Sequence, residues 1–135
     1  MLKPKVLLVE DDLKIQKAMK MQFQDSGFLV KTALDGVEAI DTLKKWTPSA
    51  VILDILMPKK NGFDVLAEIK SNPDWKGIPV LIASNLGQEK DISKGINMSA
   101  AEYIVKSNLS LEDLIKKTLY LIKMSDHGKK TLGLN

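Results

Sequence analysis

The feature that most constrains the fold is an alternation of short apolar runs with longer segments of helical periodicity. Five runs are predicted to be strands: Lys5 to Val9, Leu29 to Ala33, Ala50 to Leu53, Val80 to Ala83, and Tyr103 to Val105. Segments of about ten to fifteen residues with apolar side chains at helical spacing separate them. Repeated βα units of this kind predict a parallel sheet with helices packed on it.

The composition of the runs predicts where each strand lies in the sheet. Runs 6–9, 51–53 and 80–83 are apolar without alternation, as expected for strands covered on both faces. They should be central, whereas run 29–33, which reads LVKTA, should lie nearer an edge.

Five helices are predicted in the intervals and after the last strand. The first follows Asp12 and should bury Ile15, Ala18, Met19 and Phe23. The fourth spans about 88–98 and should turn Ile92 and Ile96 inward. The last helical pattern stops at Lys123, so residues 1–123 are expected to form one domain. Residues 124–135 should then be a polar, mobile tail that adds no packed element.

Composition excludes several functional classes. The 135 residues suit one domain, and the absence of cysteine excludes disulfides, thiolate metal sites and cysteine nucleophiles. The 20 basic residues are all lysine and the net charge is +3, which weakens a direct nucleic-acid role because guanine contacts favour arginine. No apolar run approaches the roughly 18 residues of a membrane span. We therefore expect a cytoplasmic protein with no membrane contact.

Charged and polar residues follow the predicted strands. Glu10 and Asp11 follow the first strand, Asp54 the third, Ser84 the fourth and Lys106 the fifth. Ligands of open α/β sheets bind beyond the carboxyl ends of the strands. If the strands are adjacent, these side chains converge on one pocket.

Such a carboxylate cluster needs a cation. Glu10, Asp11 and Asp54 would repel one another in a partly desolvated crevice. Mg²⁺ prefers oxygen ligands and keeps several waters, so it would also grip a phosphate. A carboxylate beside Mg²⁺ and a lysine can attack phosphorus and become an acyl phosphate.

Four segments in this order and spacing resemble the response-regulator receiver domain of two-component signalling. They read VLLVEDD, VILDILMPKKNGFDVLAEIK, NPDWKGIPVLIAS and AAEYIVK, and extend the likeness over about residues 4–123. The resemblance implies a flavodoxin-like, doubly wound parallel sheet of five strands in the order 2-1-3-4-5.

The resemblance also implies the chemistry of the pocket. Asp54 matches the phosphoacceptor and Lys106 the lysine that pairs with the phosphoryl group. Asp11 matches a direct Mg²⁺ ligand, Glu10 one that acts through water, and the backbone carbonyl of Leu56 would complete the protein's ligands. Such a protein promotes its own phosphorylation and dephosphorylation without turning over outside substrates.

A switch and its partners are implied as well. Ser84 matches the switch hydroxyl and Tyr103 the aromatic residue that turns inward when that hydroxyl moves to the phosphate. The change would reach the face formed by helix four, strand five and helix five. The implied partners are a histidine kinase or phosphotransfer protein and a downstream protein target, with a homodimer through the same face left open.

Several residues depart from the family pattern. Ser107 replaces the usual proline, and we expect the Lys106–Ser107 peptide to be cis nonetheless. Ser99 stands where glycine is common after helix four, and Asn85 is bulkier than usual. Leucines at positions 56 and 86 should hinder water, which predicts a long-lived phosphoryl group.

The sequence fits other functions less well. The departures would suit a phosphorylation-independent interaction module on the same fold. A metal-dependent aspartyl phosphatase usually needs a second acid two residues after its nucleophile, where this chain has Leu56. A nucleotide-binding enzyme is disfavoured because neither GxGxxG nor a P-loop follows the first strand.

Overall fold

The computed structural model describes residues 1–108 and 110–134. In chain order the elements are β1 (Lys5–Val9), α1 (Leu13–Asp25), β2 (Leu29–Ala33), α2 (Gly36–Lys45), β3 (Ala50–Leu53), α3 (Gly62–Ser71), β4 (Val80–Ser84), α4 (Glu89–Asn97), β5 (Glu102–Val105), a short 3-10 helix (Lys106–Asn108), α5 (Leu111–Met124) and α6 (Asp126–Thr131). No α-helix in the two described ranges is long and apolar enough to cross a membrane.

The strands form one parallel sheet in the order β2-β1-β3-β4-β5. This confirms the predicted flavodoxin-like fold. Residues 6–9, 50–53 and 80–84 are buried, whereas side chains of β2 alternate in exposure, as the sequence pattern predicts for central and edge strands. The connection from β1 to β2 contains α1, and the connection from β2 back past β1 to β3 contains α2. These two helices pack on opposite faces of the sheet.

Alternating side chains of the strands build two separate core layers. Leu7 and Val9 of β1 pack toward α2 and α3. Val6 and Leu8 pack on the opposite face, toward α1 and α5. Because both faces are covered, the strand ends are the only parts of the central strands where polar side chains can gather without breaking a core layer.

Helix α1 begins as predicted but presents a different face. Asp12 caps it by accepting hydrogen bonds from the backbone N–H groups of Lys14 and Ile15. The buried residues are Gln16, Met19 and Phe23. Ile15 and Ala18 are exposed, so their predicted burial is wrong. The face that meets the sheet places Met19 and Phe23 in a core layer and lets the Gln16 amide bond two buried carbonyl oxygens.

Helix α4 also corrects the sequence prediction. Gly95 is its only buried residue, and Ile96 is 47% exposed rather than inward. A Cβ atom on Gly95 would lie 2.8 Å from both Ile82 Cδ1 and Tyr103 Cδ2. The helix therefore meets the sheet through its backbone at Gly95, which turns the next side chain to solvent.

Residues after α5 form a packed element, contrary to the predicted tail. The Ser125 hydroxyl caps α6 by accepting from the Gly128 N–H at 2.8 Å. Leu132 is fully buried in the core layer beside α1 and α5, and its carbonyl accepts from the Leu2 N–H at 2.8 Å. Asn135, the last residue of the predicted tail, lies outside the described residues.

Hydrogen bonds attach α6 to the entrance of β3. His127 Nε2 lies 2.8 Å from the Pro48 carbonyl oxygen. The hydroxyl groups of Thr131 and Ser49 are 2.7 Å apart, and the Ser49 hydroxyl also accepts from the Lys5 N–H at 3.0 Å. Ser49 is fully buried, so its polar group is satisfied within the protein. The amino end of the sheet is thus closed by its own C-terminal segment.

Candidate functional site

Four of the predicted site residues converge at the carboxyl end of the sheet. Carboxylate oxygens of Glu10, Asp11 and Asp54 all lie within 4.8 Å of one another. Glu10 is 2% exposed and Asp54 is 6% exposed, whereas Asp11 is open to solvent. Lys106 completes the group from the end of β5. The structure thus brings these four side chains together at the strand ends.

Lys106 holds the two buried carboxylates together. Its Nζ lies 2.9 Å from Asp54 Oδ2 and also donates to Glu10 Oε1. The described residues contain no cis peptide bond, so the predicted cis geometry at Lys106–Ser107 is wrong. A cis bond before a residue other than proline costs about 3 kcal/mol. The 3-10 turn that begins at Lys106 aims its side chain at Asp54 without that cost.

Burial and pairing shift the ionisation of this group. Burial raises the pKa of Glu10, and the charge of Asp54 raises it further, while hydrogen bonds from Lys106 and from the Asp12 amide oppose the shift. Burial lowers the pKa of Lys106, but its hydrogen bonds to Asp54 and Glu10 outweigh burial, so the pKa is raised. Lys106 is therefore a permanent ammonium at neutral pH.

The loop after β3 orients Asp54. Its Oδ1 accepts from the Ile55 N–H at 2.7 Å, and its own N–H donates to the Val9 carbonyl at 3.0 Å. A Cβ atom on Gly62 would lie 2.2 Å from the Asp54 carbonyl oxygen, so only glycine permits the loop to return this closely. The sequence break at Asn61-Gly62 thus serves the placement of Asp54.

The turn after β1 orients Glu10 and Asp11, the acid pair of the site. Glu10 donates its N–H to the Ala33 carbonyl at 3.0 Å, and its Oε2 accepts from the Asp12 N–H at 3.1 Å. Gln16 adds two hydrogen bonds from its side-chain amide to the same turn. Sequence reasoning missed Gln16, although its spacing to Met19 and Phe23 is that of one helix face.

Ser84 and Tyr103 lie beside the pocket, and both side chains form a hydrogen bond with the backbone of Leu86. Ser84 is fully buried and its Oγ accepts from the Leu86 N–H at 3.2 Å. The Tyr103 hydroxyl donates to the Leu86 carbonyl at 2.5 Å. Burial raises the pKa of Tyr103, and the charge of Asp91 adds to the shift. The pocket itself is lined by Glu10, Asp11, Asp12, Ile15, Asp54, Leu56, Asn85 and Lys106.

Comparison with known proteins identifies the family. The sequence model of the response regulator receiver domain matches residues 6–119. The chain therefore belongs to the response regulator receiver domain family of two-component signalling. Receiver domains of this family work with histidine kinases or phosphotransfer proteins.

Three relatives show the range of the likeness. The probable transcriptional regulator ycf27 of Guillardia theta is 37% identical over 119 residues, which are 87% of this chain and 46% of that protein. The chemotaxis response regulator CheY4 of Vibrio cholerae is 28% identical with a TM-score of 0.82, covering 89% of this chain and 99% of that one. The Mn²⁺-bound form of response regulator Rcp1 is 30% identical with a TM-score of 0.74, covering 90% and 93%.

The curated relatives are longer proteins. This chain spans about half the length of those it matches, including 46% of the Guillardia regulator and 56% of the response regulator MprA of a Mycobacterium species. Their likeness to this chain therefore concerns the receiver domain.

Proposed function

We propose that this chain is a cytoplasmic phosphoacceptor that takes a phosphoryl group from a phosphohistidine donor onto Asp54 and signals by binding a downstream protein. The observation that carries this proposal is the convergence of Glu10, Asp11 and Asp54 around Lys106. Three acids that lie together at the strand ends, two of them buried, repel one another and lower the stability of the fold unless a bound ligand offsets the repulsion.

The donor set fits a divalent cation. Three carboxylates against one ammonium leave two negative charges in excess in a site where Glu10 and Asp54 are buried. Mg²⁺ would be held directly by Asp11, Asp54 and the Leu56 carbonyl and through water by Glu10, and when bound it would neutralise charge on the transferring phosphoryl group. Rcp1, a relative, has a Mn²⁺-bound form, which supports a hard divalent cation here.

The proposed transfer uses Asp54 as nucleophile. A carboxylate oxygen of Asp54 bonds to phosphorus while the bond from phosphorus to the donor's imidazole nitrogen breaks, and that nitrogen keeps the electron pair. Lys106 already contacts Asp54 Oδ2 at 2.9 Å, so it can follow the phosphoryl oxygens without a large movement. Its ammonium offsets the charge that the acyl phosphate adds.

The proposed switch runs through Leu86. The Ser84 hydroxyl would leave the Leu86 N–H and bond the phosphoryl group instead. The Leu86 backbone would then lose one of its two hydrogen bonds to Ser84 and Tyr103. Tyr103 would then repack and alter the face formed by α4, β5 and α5. Ile96 and Tyr120, which are 47% and 63% exposed, are available on α4 and α5 for a downstream partner or for a second copy.

A phosphorylation-independent interaction module on the same fold is less well supported. Such a module gains nothing from keeping Asp54 beside Glu10, and drift would remove the repulsion between them. Here both acids and Lys106 remain in contact.

The test is the intact mass of the protein after incubation with Mg²⁺ and acetyl phosphate. We expect one added phosphoryl group on the parent and on Asp41→Asn, an exposed acid on α2, and none on Asp54→Asn. No addition to the parent while Mg²⁺ binds would favour the interaction module instead. Decay of the added mass after donor removal tests the predicted long lifetime, which a half-life of seconds would contradict.

A further inference from the structure

Gln16 is a buried polar residue for which the proposed phosphoryl transfer has no use. Its side chain is 7% exposed on the face of α1 that meets the sheet. Its Nε2 lies 3.0 Å from the Glu10 carbonyl oxygen and 3.1 Å from the Ala33 carbonyl oxygen. The residue thus joins α1 to the ends of both β1 and β2.

The chemistry of these contacts determines how the amide is oriented. Both partners are carbonyl oxygens, which only accept, so the NH₂ group of Gln16 must face them. An amide nitrogen carries two hydrogens, and here each hydrogen has one acceptor. The Ala33 oxygen also receives the Glu10 N–H at 3.0 Å, so it serves both groups.

These bonds hold the backbone on which the acid pair is mounted. The Glu10 carbonyl belongs to the planar peptide that joins Glu10 to Asp11, so holding its oxygen holds the Asp11 nitrogen and Cα as well. The Ala33 carbonyl holds the N–H on the other side of Glu10. Asp11 is exposed, so packing does not orient it and its backbone must do so.

We propose that Gln16 is a positioning residue of the acid site, whose amide sets the distance at which the Glu10 and Asp11 carboxylates meet a divalent cation. The proposal rests on the proposed function, because it takes the acid site to be where that cation binds. Residues that orient metal ligands without touching the metal commonly contribute about 10–100-fold to affinity.

The test measures Mn²⁺ binding directly, by counting free Mn²⁺ from its electron paramagnetic resonance signal. Gln16→Met keeps the length of the side chain and removes both N–H donors. Gln24→Met is the matched control, because Gln24 lies exposed on the same helix. The double variant Asp11→Asn and Asp54→Asn, which removes two of the three carboxylates, shows how much Mn²⁺ binds elsewhere. Urea unfolding of each variant gives the folded fraction, so that the dissociation constant is stated per folded molecule.

We expect Gln16→Met to weaken Mn²⁺ binding about tenfold and Gln24→Met to leave it unchanged. Binding by Gln16→Met within about twofold of the parent, with or without a loss of stability, would mean that Gln16 is only structural and would overturn this proposal alone. Absence of Mn²⁺ binding by the parent would overturn the metal site and this proposal together.

Discussion

The two ends of the sheet differ in how they accommodate polar and charged groups. At the carboxyl end, carboxylate oxygens of Glu10, Asp11 and Asp54 lie within 4.8 Å of one another. Among the described residues, Lys106 is the basic side chain that pairs with Glu10 and Asp54. At the amino end, Leu132 is fully buried and the Ser49 and Thr131 hydroxyls bond each other. One end keeps unbalanced charge in place, and the other satisfies its polar groups and covers apolar surface.

This difference separates function from stability within a small domain. Burial raises the pKa of Glu10, which means that the folded protein holds its ionised form at a cost. Leu132, by contrast, makes apolar contacts that have no role at the site. A costly arrangement at a functional site persists only when contacts elsewhere supply enough stability to hold it. Here the contacts at the closed amino end contribute to that stability.

The largest expected effect belongs to the amino end. Leu132→Ala should lower the free energy of unfolding by about 3 kcal/mol, because it removes a fully buried side chain from a core layer. Leu134→Ala, two residues on and 38% exposed, should change it by less than about 0.5 kcal/mol. Urea unfolding measures both. Mn²⁺ affinity should stay the same, and a tenfold loss in Leu132→Ala would show that the two ends are coupled.

The converse experiment belongs to the carboxyl end. Asp11→Asn should weaken Mn²⁺ binding at least tenfold, which corresponds to about 1.4 kcal/mol of binding free energy. The free energy of unfolding should hold or rise, because one of three mutually repelling charges is gone. Asp25→Asn, an exposed acid at the other end of α1, is the control for both measurements. A marked loss of stability in Asp11→Asn would show that the acids also support the fold.

The carboxyl end was predictable from sequence because its signal is local. Each of Glu10, Asp54 and Lys106 follows an apolar run, and the topology of βα units brings such positions to one edge. The peptide geometry at Lys106 was not predictable, because it depends on how the chain turns after β5 rather than on the residue types.

The packed segment at the amino end of the sheet could not be predicted because its sequence has no periodic pattern of apolar residues. Helix α6 has six residues, contains Gly128, and is followed by a single buried leucine, so no amphipathic pattern can emerge. Its stability comes from partners far away in sequence, such as Pro48 and Leu2. Gln16 lies on a periodic helix face, but its role was missed because the carbonyls that it binds come from the ends of two strands.

A smaller effect is expected at Ser99, where α4 turns toward the amino end of β5. Ser99 has a φ of +72°, a left-handed conformation that costs a side chain roughly 1–2 kcal/mol and glycine little. After allowance for the greater entropy of unfolded glycine, Ser99→Gly should raise the free energy of unfolding by about 0.5–1 kcal/mol. Ser93→Gly, inside α4 and exposed, should lower it by about 0.5 kcal/mol. Loss of stability in both variants would mean that Ser99 has a role beyond its conformation.

The smallest effect depends on pH and tests whether the amino end is as closed as it looks. Lys70 Nζ donates to the Lys76 carbonyl at 3.1 Å and the Ile78 carbonyl at 2.9 Å, just before β4, and burial lowers its pKa. Between the lowered folded-state pKa and the unfolded one, the unfolded chain binds more protons, so stability due to Lys70 rises with pH. The gap in unfolding free energy between the parent and Lys70→Met should therefore shift in favour of the parent from about pH 7 to about pH 10. Leu132→Ala removes no titratable group, so its gap to the parent should stay constant over that range. If the difference in unfolding free energy between the parent and Lys70→Met stayed constant with pH, or shifted in favour of the variant, water would reach Lys70 freely. The amino end would then be less closed at Lys70 than the contrast between the two ends requires.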